Sequence, residues 1–326
     1  MKYTGIAGLN CARIILGTGK FGGLLDDRAA FELLDAYIEA GGNVIDTAEV
    51  YGDWFPGVEK SPSEKCLGRY LRRRGSEGLI IFTKGAHYRI SDPARTSRVR
   101  PECIREDLEK SLENLGLERI DLYWLHRDDP GYPVEPVMDA LFEAQDRGLV
   151  SRLGASNWSL GRIGEANRYA AACGRAGFAA TQTGYAYMKN HVQVNFSDTP
   201  DTTMLYFDEA RDTAYCAEHQ LPVVAYSSQA NGYITKFLSG QKLPEKTALA
   251  YDYPMNRERA GRAGQVAREL GCSPEAVGLG YLFTRPFPVC AIVGPRTPEQ
   301  LRLTLTAADL ELTEAQKAFL EEPVRP

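Results

Sequence analysis

The 326-residue chain is 44% hydrophobic and 25% charged, and its formal net charge of −5 is spread without a long run of one sign, which argues against a nucleic-acid-binding surface. No segment has the uninterrupted apolar length of a membrane span or a signal peptide, so we expect a cytoplasmic protein. The seven cysteines are scattered and the four histidines lack metal-ligand spacing, which predicts reduced thiols and no catalytic metal.

A glycine-rich stretch follows the first apolar run of the chain. Gly17 to Gly22, GTGKFG, match the G-x-G-x-x-G pattern of dinucleotide-binding folds, and Asp46 is suitably placed to bind a ribose. In those folds the last glycine opens a helix. Here the plausible helix N-cap is Asp26 or Asp27, ahead of the periodic run Ala30-Leu33-Leu34-Tyr37. A lone match of this kind is weak and does not identify the fold.

Short β-rich apolar runs then recur along the chain with helical patterns between them. Eight of these runs are predicted strands: Arg13–Thr18, Asn43–Ala48, Leu79–Gly85, Ile120–His126, Val150–Ser156, Ala179–Tyr185, Pro222–Ser227 and Val289–Val293. Further predicted helices begin near Ser63, run from Pro101 to a stop at Gly116, and cover Pro136–Arg147, Leu160–Ala172, Asp208–His219, a bipartite stretch Pro254–Phe283 and Pro298–Thr306. This alternation predicts an α/β fold, a closed (β/α)8 TIM barrel.

The segments outside this alternation predict where the barrel is capped. Met1–Leu9, with Asn10 as the turn residue, is predicted to form an N-terminal β-hairpin that plugs the bottom of the barrel. Lys189–Leu205 and Gln229–Leu249 are predicted loops over the top face. Because no linker interrupts the pattern, we expect residues 1–326 to form one domain.

Chemistry in such barrels is found at the carboxyl ends of the strands. The predicted strand ends carry hydrogen-bonding side chains, in the stretches Asp46-Thr47-Ala48-Glu49-Val50-Tyr51-Gly52, Thr83-Lys84-Gly85, Trp124-Leu125-His126-Arg127, Gly154-Ala155-Ser156-Asn157 and Tyr226-Ser227-Ser228, with Gln182 and Tyr185 on the sixth strand. The middle strands therefore deliver polar groups to one rim.

These motifs, D-T-A-x-x-Y-G, T-K-G, L-H, G-x-S-N, the Gln of the sixth strand and A-Y-S, resemble the aldo-keto reductase family, and the likeness extends from GTGKFG to PEQL. The resemblance implies a catalytic tetrad of Asp46, Tyr51, Lys84 and His126. It further implies an NADP(H)-dependent oxidoreductase that reduces an aldehyde or ketone to an alcohol.

The chemistry of carbonyl reduction accounts for these residue types. Hydride addition places negative charge on oxygen, so a general acid, Tyr51, has to deliver a proton. Lys84 is expected to lower the pKa of Tyr51, Asp46 to hold Lys84, and His126 to bind the carbonyl oxygen. Each residue also has a structural alternative: a tyrosine packed under a loop, a structural ion pair, or a buried core histidine.

The resemblance also implies the cofactor contacts. They fall on Gly17, Thr18, Gly19, Asp46, Ser156, Asn157, Gln182, Tyr226, Ser227, Gln229, Gly294, Arg296 and Gln300. Tyr226 is expected to stack on the nicotinamide ring, and Arg296, with no acidic neighbour, favours NADPH or NADP+ over NADH. Arg296 could alternatively be a solvated surface charge. Leu303-Thr304 departs from the family, which usually has Asn there, so the resemblance implies no adenine contact at this point.

The resemblance implies a small-molecule carbonyl substrate, and its pocket is predicted to draw on Lys20, Phe21, Trp54, Phe55, His87, Tyr88 and Trp158. Such a pocket suits a sugar and a hydrophobic aldehyde equally. A nucleotide-binding regulatory subunit resembling potassium-channel β-subunits is the alternative function, although no docking extension is evident at either end. A divalent-metal sugar isomerase would need clustered carboxylates and histidines, and only Asp46 and His126 qualify.

Overall fold

The computed structural model describes residues 1–191 and 201–323, and it opens with a two-stranded antiparallel hairpin. The hairpin strands are β1 (Tyr3–Ile6) and β2 (Leu9–Ala12). Its turn residues, Ala7 and Gly8, have φ angles of 53° and 79°, the geometry of a two-residue hairpin turn. The predicted hairpin is confirmed, but its turn was misplaced, because Asn10 lies within β2.

Within the described residues, eight parallel strands close into a barrel in which each strand pairs with the next and the last pairs with the first. The barrel strands are β3 (Ile14–Gly17), β4 (Val44–Asp46), β5 (Ile80–Gly85), β6 (Ile120–Leu125), β7 (Val150–Ser156), β8 (Thr181–Gly184), β9 (Val223–Tyr226) and β10 (Val289–Val293). The predicted (β/α)8 barrel is therefore confirmed.

Helices alternate with these strands: α1 (Asp27–Glu39), α2 (Pro62–Arg74), α3 (Pro101–Leu115), α4 (Val134–Asp146), α5 (Leu160–Ala172), α6 (Glu209–Glu218), α7 (Tyr233–Leu238), α8 (Glu245–Tyr251), α9 (Pro254–Leu270), α10 (Pro274–Leu282), α11 (Pro298–Leu305) and α12 (Glu314–Glu321). Asp26 caps α1 by accepting a hydrogen bond from the amide of Ala29, and Gly116 ends α3 in the left-handed conformation, both as predicted. In the described part of the chain, no helix has the length and apolar character to cross a membrane.

The structure corrects the sequence prediction at several segments. Gln229–Leu249 is not a loop, because it contains a 3-10 turn, α7 and the start of α8; Tyr233 and Ile234 are buried, and this packing favours the short α7. The helix α4 begins at Val134, ahead of the predicted Pro136. The C-terminal α12 was not predicted, although Thr313 and Gln316 form its capping box. Of the predicted loop Lys189–Leu205, residues 192–200 lie outside the described residues.

The barrel encloses a core of its own. Its members come from the hairpin and from inward-facing strand positions: Ile6, Cys11, Ile15, Val44, Phe82, Leu122, Trp124, Ala180, Val224 and Cys290. Side chains alternate between the two faces of a strand. The residues two positions after Val44, Phe82 and Ala180 therefore also face inward. These residues are Asp46, Lys84 and Gln182.

The layer beneath these polar residues depends on one glycine. Trp124 is fully buried, and a Cβ atom on Gly154 of the neighbouring strand would lie 2.3 Å from the Trp124 ring. No real Cβ contact is that short, so an alanine at Gly154 would push the indole out of its place. The apolar layer directly below the polar side chains therefore contains Trp124, which fits there only because residue 154 is a glycine.

We therefore predict that Gly154→Ala destabilises the protein by about 1–3 kcal/mol through overpacking. Urea unfolding measures the change. Gly161→Ala on α5 is the matched control, since nothing lies within 4 Å of its added Cβ, and it should shift stability by less than about 0.5 kcal/mol. Equal stability of the Gly154→Ala protein and the wild type would contradict the tight packing at Trp124.

Candidate active site

A buried lysine lies at the carboxyl end of β5. Nζ of Lys84 donates hydrogen bonds to Oδ1 of Asp46 at 2.5 Å, to the carbonyl oxygen of Thr47 at 2.7 Å and to the hydroxyl of Tyr51 at 3.0 Å. Burial opposes the charge, but Asp46 and Tyr51 hold the pKa of Lys84 above its ordinary value. The three acceptors match the three protons of an ammonium group, so Lys84 is charged.

Asp46, at the end of β4, is buried inside the barrel and accepts hydrogen bonds through both carboxylate oxygens. Its side chain has no exposed surface, and its second oxygen accepts a hydrogen bond of 2.9 Å from Nε2 of Gln182. No helix opens directly at Gly22, since α1 begins only at Asp27. The dinucleotide fold in which Asp46 would bind a ribose therefore lacks the helix it requires, and each carboxylate oxygen of Asp46 already accepts one hydrogen bond.

Tyr51 and His126 complete the group predicted from the strand ends. Their rings are 5.7 Å apart in an edge-to-face arrangement, and Nζ of Lys84 lies 4.4 Å from the centroid of the Tyr51 ring. Desolvation raises the pKa of Tyr51 above its ordinary value and outweighs the lowering by Lys84. Lys84 therefore lowers the pKa of Tyr51 as expected, but the burial of the phenol has the larger effect, and the phenol is protonated at neutral pH.

A second histidine lies beside His126. The imidazole rings of His87 and His126 have centroids 4.7 Å apart. Burial lowers the pKa of both well below the usual value, and the nearby guanidinium of Arg127 lowers both further. Both imidazoles are therefore neutral. Nδ1 of His126 is buried and has no hydrogen-bond partner among the described residues.

Six aromatic rings form one continuous row through the site. Neighbouring centroids are 4.1–5.8 Å apart in the order Phe55, Trp54, Tyr51, His126, His87 and Tyr88. The row therefore contains four of the residues predicted for the substrate pocket, with Tyr51 and His126 between them. Two others are elsewhere: Phe21 and Trp158 are 1% and 3% exposed and pack in the core between the barrel and the helices.

The polar end of this row includes two residues that the sequence analysis did not assign. Arg127 donates to the carbonyl oxygen of His126 at 3.0 Å and to Oδ2 of Asp201 at 3.2 Å, and the same carboxylate accepts from the hydroxyl of Tyr88 at 2.8 Å. Although burial opposes it, Arg127 and hydrogen bonds from Thr203 and Tyr88 hold the pKa of Asp201 at about 2. The strand-end position of Arg127 was a usable signal, whereas nothing in the sequence links Asp201 to this site.

The residues predicted to bind nicotinamide meet around Asn157. Its amide nitrogen donates to Oγ of Ser156 at 3.2 Å, and its amide oxygen accepts from the hydroxyl of Tyr226 at 2.7 Å. The side chain of Tyr226 is thereby anchored at its hydroxyl end. Thr18, another predicted cofactor residue, has no exposed surface. Its hydroxyl forms a hydrogen bond of 2.7 Å with Oγ of Ser63.

The other predicted cofactor residues lie around the end of β10. Ser227, Gln229 and Gly294 belong to the loops that follow β9 and β10. The amide of Arg296 donates to Oε1 of Gln300 at 2.9 Å, and Nε2 of Gln229 lies 3.4 Å from Oγ1 of Thr304. Gly17, the last residue of β3, faces Ile292 of β10, and Gly19 in the loop after β3 lies against the rings of Tyr51 and Trp54.

Three cationic side chains lie at this same end of the site: Lys20, Lys236 and Arg296. Nζ of Lys20 donates to the carbonyl oxygen of Gly294, so Lys20 lies on this side of the site rather than in the aromatic row. Burial and then the charge of Arg296 lower the pKa of Lys20 to about 8. Burial and Arg296 also lower the pKa of Lys236, although Glu275 opposes this. No group of three or more His, Cys, Asp and Glu in the described ranges could hold a metal ion.

Comparison with known proteins gives one consistent family. The model of the Aldo/keto reductase family matches residues 13–324. The uncharacterized oxidoreductase YrpG of Bacillus subtilis is 29% identical over 96% of this chain and 92% of its own length. The NADP(+) aryl-alcohol dehydrogenase of Phanerodontia chrysosporium is 28% identical over 97% of this chain and 83% of its own.

A solved structure supports the fold. The crystal structure of a thermostable aldo-keto reductase in complex with the inhibitor epalrestat is similar, with a TM-score of 0.71. The two chains are 23% identical, and the match covers 98% of this chain and 99% of the other. At that identity the likeness shows a common fold.

We predict that Lys84→Met lowers the free energy of unfolding by about 3–5 kcal/mol near pH 8, because the buried Asp46 loses its cation. Burial raises the pKa of Asp46 even beside the Lys84 ammonium, and the variant removes the ammonium that opposes this rise. A group whose folded-state pKa lies above its unfolded value favours folding at low pH and loses that contribution as the pH rises. The deficit should therefore be smaller near pH 5 than near pH 8, as measured by urea unfolding at both pH values.

The double variant Lys84→Met with Asp46→Asn is the control. It has no carboxyl group to titrate at this position, so its deficit relative to the wild type should vary less with pH than that of the single variant. A single variant whose deficit is the same at both pH values would show that Asp46 does not depend on Lys84 for its charge.

Proposed function

Because the chain belongs to the Aldo/keto reductase family, we propose that it reduces an aldehyde or a ketone to an alcohol with NADPH as the cofactor. The observation that carries this proposal is the 3.0 Å hydrogen bond between Nζ of Lys84 and the hydroxyl of Tyr51. Negative charge develops on the carbonyl oxygen during reduction, and a proton has to reach it as it forms. A phenol beside a buried ammonium can give up that proton and leave a stabilised phenolate.

The role of each tetrad residue follows from its state. Tyr51 is protonated before the reaction, because desolvation raises its pKa. When its proton leaves, the phenolate lies against the ammonium of Lys84, and this attraction is strong in a site of low dielectric constant. Asp46 is a positioning residue, since it holds the Lys84 ammonium charged at 2.5 Å and does not touch the substrate.

His126 acts as a hydrogen-bond donor to the carbonyl oxygen. A neutral imidazole carries one N–H, on Nδ1 or on Nε2. Nδ1 of His126 is enclosed without a partner, and a buried N–H without an acceptor costs more than a buried lone pair. We therefore assign the proton to Nε2. A preorganised donor of this kind stabilises the charge that develops on the oxygen.

The residues present fit a nicotinamide dinucleotide phosphate. Ser156, Asn157 and Tyr226 would hold the nicotinamide end, and the cofactor supplies the hydride when it is bound. Lys20, Lys236 and Arg296 would hold its phosphates, since Arg296 lowers the pKa of both lysines and a polyanion would relieve this repulsion. The aryl-alcohol dehydrogenase relative has NADP(+) in its name, which supports the same cofactor here.

Tyr51→Phe should abolish carbonyl reduction and leave NADPH binding nearly unchanged, because the variant lacks only the acidic proton. The measurements are kcat, from the loss of reduced-nicotinamide absorbance with a panel of aldehydes and ketones, and Kd from nucleotide titration. Tyr215→Phe on α6, outside the site, is the matched control and should keep wild-type kcat. If Tyr51→Phe retains more than about a tenth of kcat, a loss below about 1.4 kcal/mol, Tyr51 is not the general acid.

Arg296→Ala should weaken NADPH binding about tenfold or more and change NADH binding far less. A guanidinium can make a two-pronged, charge-assisted contact with the 2′-phosphate, a group that NADH lacks. Kd is measured for both nucleotides at one ionic strength. Arg302→Ala, on the exposed face of α11, is the matched control. Equal weakening of both nucleotides, or a wild type that binds both within about threefold, would rule out this role of Arg296.

A further inference from the structure

The aromatic row differs in chemistry on the two sides of Tyr51. On one side it continues with Trp54 and Phe55, which are apolar at their ring faces. On the other it continues through His126 to His87, which is only 7% exposed. A carbonyl group at Tyr51 and His126 would therefore have a polar neighbour on the His87 side.

The hydrogen bonding of His87 defines what it can offer a ligand. Its Nδ1 lies 2.6 Å from the carbonyl oxygen of Tyr88, which can only accept, so Nδ1 carries a proton. In the neutral ring Nε2 is then a lone-pair acceptor. It has no hydrogen-bond partner among the described residues, and it is not one of the enclosed side-chain atoms without a partner, so solvent reaches it. The nearby Arg127 opposes protonation of the ring, which keeps this acceptor available.

The two histidines thus have opposite hydrogen-bonding roles toward a ligand, one as donor and one as acceptor. His126 is assigned a donor on Nε2, and His87 has an acceptor on Nε2, in rings whose centroids are 4.7 Å apart. A ligand that satisfies both has a carbonyl oxygen that accepts and, close to it, a hydroxyl group that donates. Asp201 does not compete for that hydroxyl, because it is 1% exposed and already accepts a hydrogen bond from Tyr88 at 2.8 Å.

We propose that His87 is a specificity-determining residue that accepts a hydrogen bond from a hydroxyl group on the carbon next to the substrate carbonyl. The substrates are then 2-hydroxyaldehydes and 2-hydroxyketones, a class that includes open-chain sugars, in preference to the corresponding compounds without that hydroxyl. This inference rests on the proposed carbonyl reduction. It resolves the choice between a sugar-like and a purely hydrophobic substrate, since a purely apolar ligand would leave the acceptor of His87 unpaired.

The test compares propanal, 2-hydroxypropanal and 3-hydroxypropanal as substrates of the wild type, His87→Phe and His87→Gln. The quantity measured is the ratio of kcat/KM for 2-hydroxypropanal to that for propanal. His87→Phe keeps a planar ring without an acceptor, and we expect it to reduce this ratio about tenfold, mainly through KM. His87→Gln keeps an acceptor oxygen and should preserve more of the ratio. Hydration of the aldehydes in water cancels when this ratio is compared between proteins, because every protein receives the same three substrates; rates of the wild type on different aldehydes are compared per free aldehyde.

His219→Phe is the matched control, since His219 is an exposed histidine beyond the end of α6, and it should leave the ratio at the wild-type value. Equal losses with 2-hydroxypropanal and 3-hydroxypropanal in His87→Phe would show a general effect of polarity and overturn the proposal. A ratio within about twofold of the wild type in both His87 variants would do the same. If the wild type reduces propanal without preference for the hydroxylated substrate, this inference fails alone. If it reduces no aldehyde or ketone, the proposed function fails with it.

Discussion

The ion pair between Lys84 and Asp46 is the constraint on which the rest of the site depends. Both side chains are fully buried, and a charge in the interior of a protein is tolerated only with a partner and hydrogen bonds. Thr47, Tyr51 and Gln182 supply those bonds. The requirement to satisfy one buried ion pair therefore brings the loop after β4 to Lys84 on β5 and links Gln182 of β8 to Asp46 on β4.

The closed barrel makes this arrangement possible. Along each strand, side chains alternate between the face that packs against the helices and the face inside the barrel. Closure of the parallel strands into a barrel brings inward-facing residues from distant parts of the chain to the same level. Apolar residues fill the level below, where Trp124 lies against Gly154. A solid apolar floor keeps water from the buried charges, so their mutual attraction is stronger than it would be at the surface.

Electrostatics distinguishes the two ends of the site. Tyr51 and His126 are themselves neutral, since burial raises the pKa of the phenol and lowers that of the imidazole. At the cofactor end Arg296 is exposed, and its charge acts on Lys20 and Lys236. Neutral groups at Tyr51 and His126 beside a cationic rim suit the proposed reaction of an uncharged carbonyl with a polyanionic cofactor.

The sequence by itself determined the fold and the central residues. Strand and helix periods are local properties, so the barrel and the helix caps at Asp26 and Gly116 could be predicted from neighbouring residues. Strand-end motifs likewise located Asp46 and Lys84. Only the tertiary structure decided the rest: Asp201 joins Arg127 across a large sequence separation, and α7 forms because Tyr233 is buried by distant segments. The direction of the Tyr51 pKa was also decided there, because desolvation depends on every group that surrounds the phenol, and no local pattern encodes that enclosure.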